Sequence, residues 1–161
     1  MPDTNVKEFL DNQGIDYEII LHRPAVTAEA TATASHIPKG SLAKTVVVRV
    51  DGAFALAVVP ASQRVDLQAL RTATRASSVA LASESEFQDK FPHCEPGAMP
   101  PFGNVYGMAT FVDEEIAKQA QITFNAGCHT ELVRVAYKDF ARFVAPRVMT
   151  LALRPVLAKA A

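Results

Sequence analysis

The sequence predicts a mixed α/β layer fold, and three observations carry that prediction. Two runs of β-branched and apolar residues, Thr45–Val50 and Ala53–Val59, are joined by Asp51-Gly52, whose residues tolerate the positive φ of a tight hairpin turn. Short segments of helical period with capping residues interleave with the strands instead of following them in a block. No repeat and no linker divides the chain, so its 161 residues are expected to form one domain, 1–161. A hairpin-built sheet is not all-parallel, because parallel neighbours need long crossovers. A domain of this length buries about 68–70% of the surface its unfolded chain exposes and folds without staples.

In chain order, Val6–Gln13 reads as the first helix, with Val6, Phe9 and Leu10 on one face and Gly14 as its stop. Tyr17–Leu21 reads as a strand. Thr27 is placed to cap a short alanine-rich helix reaching Ser35, and IPKGS then forms a loop that delivers the chain to Lys44 and the hairpin. Asp66 caps a helix through Arg71. Val79–Ala82 is a short strand, and Ser83 with Glu86 has capping-box spacing for a helix ending near Lys90. From Phe91 to Gly103 the run FPHCEPGAMPPFG holds four prolines and two glycines, too many for either regular element, so it forms a shaped loop. Val105–Val112, Ile122–Ala126 and Glu131–Val135 read as strands, with Gly127 at the last turn. Tyr137–Val144 is a helix stopped by Pro146.

Composition narrows the function classes. The chain is 49% hydrophobic and 20% charged, which suits an ordered globular protein and not a disordered one. No apolar stretch approaches the roughly 20 residues of a membrane span, so no membrane partner is expected. The first residues, MPDTNVKEFL, carry acids and no apolar signal core, which makes the reducing cytoplasm the expected location. Two cysteines, Cys94 and Cys128, do not make a disulfide framework. A net charge of −1 argues against a protein that holds duplex DNA by broad phosphate neutralisation. Arg64, Arg71 and Arg75 cluster around one predicted helix, where arginines ordinarily form a solvated surface.

Three features are able to carry chemistry. Lys44 stands at the entrance of a hydrophobic strand, where it reads either as an edge lysine or as an ammonium facing a cleft. In the proline-rich loop, Gly97 and Gly103 permit close backbone approach while Pro100 and Pro101 stiffen the segment, so backbone N–H groups can be aimed at a carbonyl or a developing oxyanion. A surface crossover that needs only tight turns explains the same loop equally well. In FNAGCHTE, Gly127 breaks between two strands and leaves Asn125, His129 and Thr130 near one sheet end; alone, His129 reads as a turn histidine.

The combination of Lys44-Thr45, Pro96-Gly97 through Pro100-Pro101-Phe102-Gly103, and Phe124-Asn125-Ala126-Gly127 resembles the YbaK and prolyl-tRNA synthetase-associated editing domain family. The resemblance runs from about Val6 to Val144 and keeps the family's order of elements. It implies an α+β fold whose mixed, mostly antiparallel sheet curls toward a barrel, and the deacylation of mischarged tRNA in trans. The family's lysine maps onto Lys44 and its substrate-facing glycine loop onto Gly97–Gly103. The turn that bears a pocket histidine in some members maps onto Gly127, Cys128 and His129. The implied partner is the 3′ aminoacyl end of mischarged tRNA, delivered by an aminoacyl-tRNA synthetase or elongation factor; no cofactor and no metal are implied.

An aminoacyl ester is already activated, so orientation, a positioned water and charge stabilisation suffice. The sequence contains no GxSxG elbow and no HExxH pair, and the resemblance implies that the terminal ribose hydroxyl of the tRNA helps activate water. Lys44 is expected on a phosphate or carbonyl, backbone amides around Gly97 and Gly103 on the carbonyl oxygen, and Phe102 as a pocket wall. Thr45, Pro100, Pro101, Asn125, Gly127 and His129 complete the expected substrate contacts. Two rival chemistries use the same residues: a thiol nucleophile from Cys94 or Cys128 with His93 or His129, and a zinc site from both His-Cys pairs. Sequence neighbours on a strand point to opposite faces, and the spacing fits neither CxxC nor HxxxH. A noncatalytic module that binds an aminoacyl-tRNA end or a synthetase is the rival from outside enzymology.

Overall fold

The computed structural model describes residues 6–21, 37, 42–91, 94–95, 97–128 and 130–153; the helix expected over Thr27–Ser35 lies outside them. The chain opens with helix α1 (Val6–Asn12), which buries Val6 and Leu10. Gly14, at φ 67°, then turns it into strand β1 (Tyr17–Leu21). The hairpin follows as β2 (Ala43–Val50) and β3 (Ala53–Pro60). Asp51 (φ 50°) and Gly52 (φ 86°) both take the left-handed conformation that matches a two-residue turn to the strand twist. Lys44 is thus the second residue inside a strand, not the residue before it.

β4 (Arg64–Val65) leads into α2 (Leu67–Thr74), whose first turn is capped by the Asp66 carboxylate accepting from the Ala69 N–H at 3.0 Å. The helix runs past Arg71 to a left-handed C-cap at Arg75, which donates its N–H to the carbonyls of Arg71 and Thr72. β5 (Val79–Leu81) and α3 (Glu84–Phe87) follow, the latter opened by the Ser83–Glu86 capping box. Beyond the proline-rich loop come β6 (Ala109–Asp113), α4 (Glu114–Ala117), β7 (Gln121–Asn125), β8 (Glu131–Ala136), α5 (Tyr137–Val144), β9 (Arg147–Met149) and β10 (Ala152–Leu153). The strand expected over Val105–Val112 is corrected to β6. Gly103–Val105 forms a 3₁₀ turn, Gly107 takes φ 70°, and Tyr106 and Met108 both donate N–H groups back to the Gly103 carbonyl at 2.9 and 2.8 Å. β4, α4, β9 and β10 are additions to the predicted elements.

Two sheets result, β1-β8-β7 and β5-β2-β3-β6-β9, with β10-β4 as a short separate ribbon. Most pairings are antiparallel; β3–β6 and β6–β9 are parallel. The larger sheets meet at an isolated parallel bridge between Leu42 and Thr123, and among the described residues they do not close into a barrel. Between them lies an aromatic core. Phe102 has its ring centroid 5.3 Å from Phe124 and 5.5 Å from Phe140, and Ala43, Val58, Val112 and Ile116 pack around these rings. α1 is fastened to the same core by an edge-to-face contact of Phe9 on Phe143 and by Lys7 donating to Glu131 at 2.6 Å. A second cluster, Val48, Ala57, Val59, Leu70 and Leu151, seats α2 on the five-stranded sheet.

Asp113 is fully buried at the end of β6. Its Oδ1 accepts the N–H groups of Leu151 (2.8 Å) and Ala152 (2.9 Å), and its Oδ2 accepts that of Glu115 at the start of α4 (3.0 Å). Charge-assisted bonds of this kind offset the desolvation of a buried carboxylate. Removing the carboxylate leaves several amide donors buried without their acceptor, at about 1–3 kcal/mol each. Asp113→Ala is therefore expected to lower the unfolding free energy by about 3–5 kcal/mol, and Asp113→Asn by less because one carbonyl oxygen remains. Urea denaturation measures both, and wild-type stability of the alanine variant would show that the amides are satisfied elsewhere.

Candidate active site

The two sheets part just beyond the Leu42–Thr123 bridge. Two residues further on, β2 carries Lys44 and β7 carries Asn125, before β2 runs into the five-stranded sheet and β7 toward Gly127. Strand side chains alternate between faces, and the core contacts show which face is which. Ala43 and Phe124 pack in the aromatic core. Leu42 packs on the other side with Leu132 and Ala61, flanked by Ile20 and Ile37. Asn125 lies opposite Leu132 in the β7–β8 register, and Lys44 opposite Val59, which packs beneath α2. The pleat thus places Lys44 and Asn125 on one side of the parting. Thr45, opposite Val58, belongs to the aromatic-core side with Phe102.

Among the described residues, three buried side-chain polar atoms lack a hydrogen-bond partner: Thr45 Oγ1, Asn125 Oδ1 and Gln63 Oε1. Buried polar atoms are nearly always paired, and leaving one unpaired costs about 1–3 kcal/mol. Two of the three fall on the adjoining strand ends where the sheets separate. They lie on opposite faces, Asn125 Oδ1 on the side of Lys44 and Thr45 Oγ1 on the aromatic-core side.

The proline-rich loop and the glycine turn are brought together at the rim of the parting. Gly127 takes φ 103°, donates its N–H to the Ala98 carbonyl at 2.9 Å, and accepts from the Glu95 N–H at 2.7 Å. Within the loop, the Ala98 N–H closes on the Glu95 carbonyl at 3.0 Å, and Gly97 takes φ 82°. Gly97 is exposed, whereas Ala98, Met99, Pro100, Pro101, Phe102 and Gly103 are all buried. The run of prolines is a core segment presenting one exposed corner. Phe102, expected as a pocket wall, is fully buried among Phe124, Phe140 and Phe143 and anchors the loop.

Gly103 is engaged within the fold. Its N–H donates to Thr110 Oγ1 at 3.1 Å, so this amide is not open to a substrate carbonyl as the sequence suggested. A Cβ there would collide with Thr110 Oγ1 and lie 2.5 Å from the Met108 carbonyl oxygen, so glycine is required by close packing.

Cys94 and Cys128 are both free and half-buried, on either side of the Glu95–Gly127 hydrogen bond. Burial pushes the Cys94 thiol up, and the Tyr106 phenol whose Oη lies 3.8 Å from it is pushed up by burial as well. Both groups keep their protons at neutral pH, the opposite of what a thiolate nucleophile needs. His93 and His129 lie outside the described residues. Among the described residues, no three His, Cys, Asp or Glu side chains gather as a metal-binding group.

Together these elements make a mixed α/β fold in which Lys44 and Asn125 stand on one side where the two sheets separate. The chain belongs to the aminoacyl-tRNA editing domain family, whose model matches residues 22–143. No curated protein matches it. Solved structures repeat the fold at low identity. The hypothetical protein APE2540 superposes with a TM-score of 0.81 at 17% identity, over 92% of this chain and 99% of that one. A protein described as a candidate trans-editing enzyme for prolyl-tRNA synthetase gives 0.77 at 20% identity, over 92% and 95%. A signal-transduction protein from Marinobacter aquaeolei VT8 gives 0.66 at 17% identity, over 86% of this chain and 28% of that one.

Gly103→Ala should destabilise the protein by about 1–3 kcal/mol through overpacking. Adding Thr110→Ala should restore little, because the Met108 carbonyl is backbone and cannot rotate away. Thermal or urea melts of the two variants decide the matter; full rescue by Thr110→Ala would place the strain on the side chain alone.

Proposed function

We propose that this protein hydrolyses the ester between a mischarged amino acid and the 3′ end of tRNA, with the cleft between β2 and β7 as its site. The observation that carries this reading is the partnerless buried Asn125 Oδ1 on the same side as Lys44, in a chain of the editing family. The α-ammonium of an aminoacyl ester supplies the donor that oxygen lacks. The Lys44 ammonium takes a terminal phosphate or the ester carbonyl. The exposed corner at Gly97, held by the Gly127 clamp, is the part of the loop left to face the carbonyl. Water attacks the carbonyl carbon, the bond to the ribose oxygen breaks, that oxygen takes a proton, and the amino acid leaves as its acid. No side-chain nucleophile is required, because the ester is activated and the site supplies orientation and charge. A synthetase or elongation factor is the natural source of such a substrate, and the structural relative described as a candidate trans-editing enzyme supports that setting.

The test is deacylation of a panel of mischarged tRNAs, among them alanyl, seryl and threonyl esters. Faster hydrolysis of at least one of these than of the correctly charged tRNA is the expected result. Lys44→Ala should lower kcat/KM by about ten- to 150-fold, the worth of one hydrogen bond to a charged group, and Lys44→Arg should restore only part of it. A folded protein inactive on every ester would be a noncatalytic aminoacyl-tRNA-binding module; a fully active Lys44→Ala would remove the lysine from the site.

Activity should survive thiol alkylation and the substitutions Cys94→Ala and Cys128→Ala. With its thiol pushed up by burial, Cys94 should react slowly with iodoacetamide at neutral pH and faster as the pH rises toward its titration. A loss beyond about a hundredfold in either folded variant, near 2.7 kcal/mol of transition-state stabilisation, would restore the thiol mechanism.

A further inference from the structure

Three exposed arginines lie in or beside α2 and stand against no carboxylate among the described residues. Arg64, just before the helix, and Arg71 and Arg75, one turn apart at its far end, are all exposed. Lys7, Arg49, Lys118, Arg134 and Arg142 each stand against a carboxylate. Arg64, Arg71 and Arg75 do not, among the described residues. Arg147 adds a fourth guanidinium by donating to the Ala73 carbonyl in the last turn of α2. The nearby acids are committed: the Asp66 carboxylate caps the helix, and Asp51 Oδ1 accepts the Ser77 and Ser78 N–H groups at 2.8 and 2.9 Å. In a chain of net charge −1, this concentrates positive charge around α2. Basic groups near a helix C-terminus also complement its dipole, which accounts for Arg71 and Arg147 but not for Arg64.

The arginines begin beside the cleft and lead away from it. The Ala61 N–H bonds the Leu42 carbonyl at 2.8 Å, which fixes the approach to Arg64 at the end of β2 where the sheets part. α2 then lies over the sheet face that carries Lys44, because Val59, opposite Lys44, packs with Leu70. Its far end reaches the hairpin turn, where the Asp51 N–H donates to the Ser78 carbonyl at 2.9 Å. From Lys44 to Val50 the strand spans about 20 Å, the reach of several nucleotides. We propose that these arginines around α2 hold the phosphate backbone of the tRNA acceptor stem while the single-stranded 3′ end crosses to the cleft. This rests on the deacylase reading above, and adds to it where the RNA lies.

The experiment measures binding of an unacylated acceptor-stem RNA hairpin to the full chain by fluorescence anisotropy, at several salt concentrations. The variants are Arg71→Glu/Arg75→Glu, its neutral counterpart Arg71→Gln/Arg75→Gln, Arg64→Glu, and Lys138→Glu as an exposed cation on α5. Melting temperature checks that each is folded. The charge-reversed pair should bind about ten- to hundredfold more weakly, and the neutral pair should flatten the salt dependence by about 0.7–0.9 for each phosphate no longer neutralised. With mischarged tRNA the pair should raise KM by a similar factor and leave kcat within about twofold. Wild-type binding and slope in the arginine variants, or an equal loss in Lys138→Glu, would overturn the proposal. If the arginine variants bind normally while wild type deacylates, this surface fails and the deacylase reading stands. If the wild-type protein hydrolyses nothing yet loses RNA binding with these arginines, the surface stands and the deacylase reading fails.

Discussion

One buried carboxylate holds the parts of this fold in relation. Asp113 gathers the backbone amides of Glu115, Leu151 and Ala152, and so joins the end of β6, the start of α4 and the strap that leads into β10. The strap passes the constraint on. Its Leu151 carbonyl accepts the Asp66 N–H at 2.7 Å, and Asp66 in turn caps α2. A charge with no water around it is tolerated only when its lone pairs are filled, so the geometry of these donors is dictated and not merely favoured. α2 then covers the sheet face on which Lys44 sits.

The same molecule treats its polar atoms in two ways. Asp113 collects several donors, and even the Gly103 amide is answered by a threonine hydroxyl placed for it. Thr45 and Asn125, by contrast, keep buried oxygens with nothing bonded to them. Buried polar atoms are nearly always paired, so these two stand out against the rest of the fold. The proline-rich loop and the glycine turn are joined in a similar way. Gly127 is bonded to both Glu95 and Ala98, so backbone hydrogen bonds tie loop and turn together.

Much of this was legible in local chemistry. Asp51-Gly52 announces the hairpin because few other pairs tolerate two successive positive φ angles, and the Asp66 and Ser83 caps are visible because a capping side chain acts within three residues. The proline-glycine loop and the Gly127 turn were identifiable by residue type, and their mutual clamp was not, since a backbone hydrogen bond leaves no mark on the side chains that make it. Asp113 was illegible for another reason: followed by Glu114 and Glu115, it looks like one acid among three, and its partners Leu151 and Ala152 lie 38 and 39 residues downstream. The burial of Phe102 was not legible because its ring partners, Phe124, Phe140 and Phe143, come from elements that only the tertiary fold brings near. Gly103 appeared to be a substrate-facing glycine when its constraint is the lack of room for a methyl group.

The distance in sequence between Asp113 and its donors also sets a schedule. A ribosome releases the chain from the N-terminus, and β6 with its carboxylate emerges well before Leu151 and Ala152 exist to receive it. Until then the carboxylate stays hydrated, β6 lacks the β9 neighbour on its outer edge, and the strap that meets Asp66 is missing. The closing residues therefore act as a latch on a nascent chain that has built its hairpin but not yet locked its frame. A chain broken off between Asp113 and Leu151 would keep the local signals of its helices and strands and lack the bonds that lock β6 to the closing strap, which makes it a candidate for quality-control proteolysis.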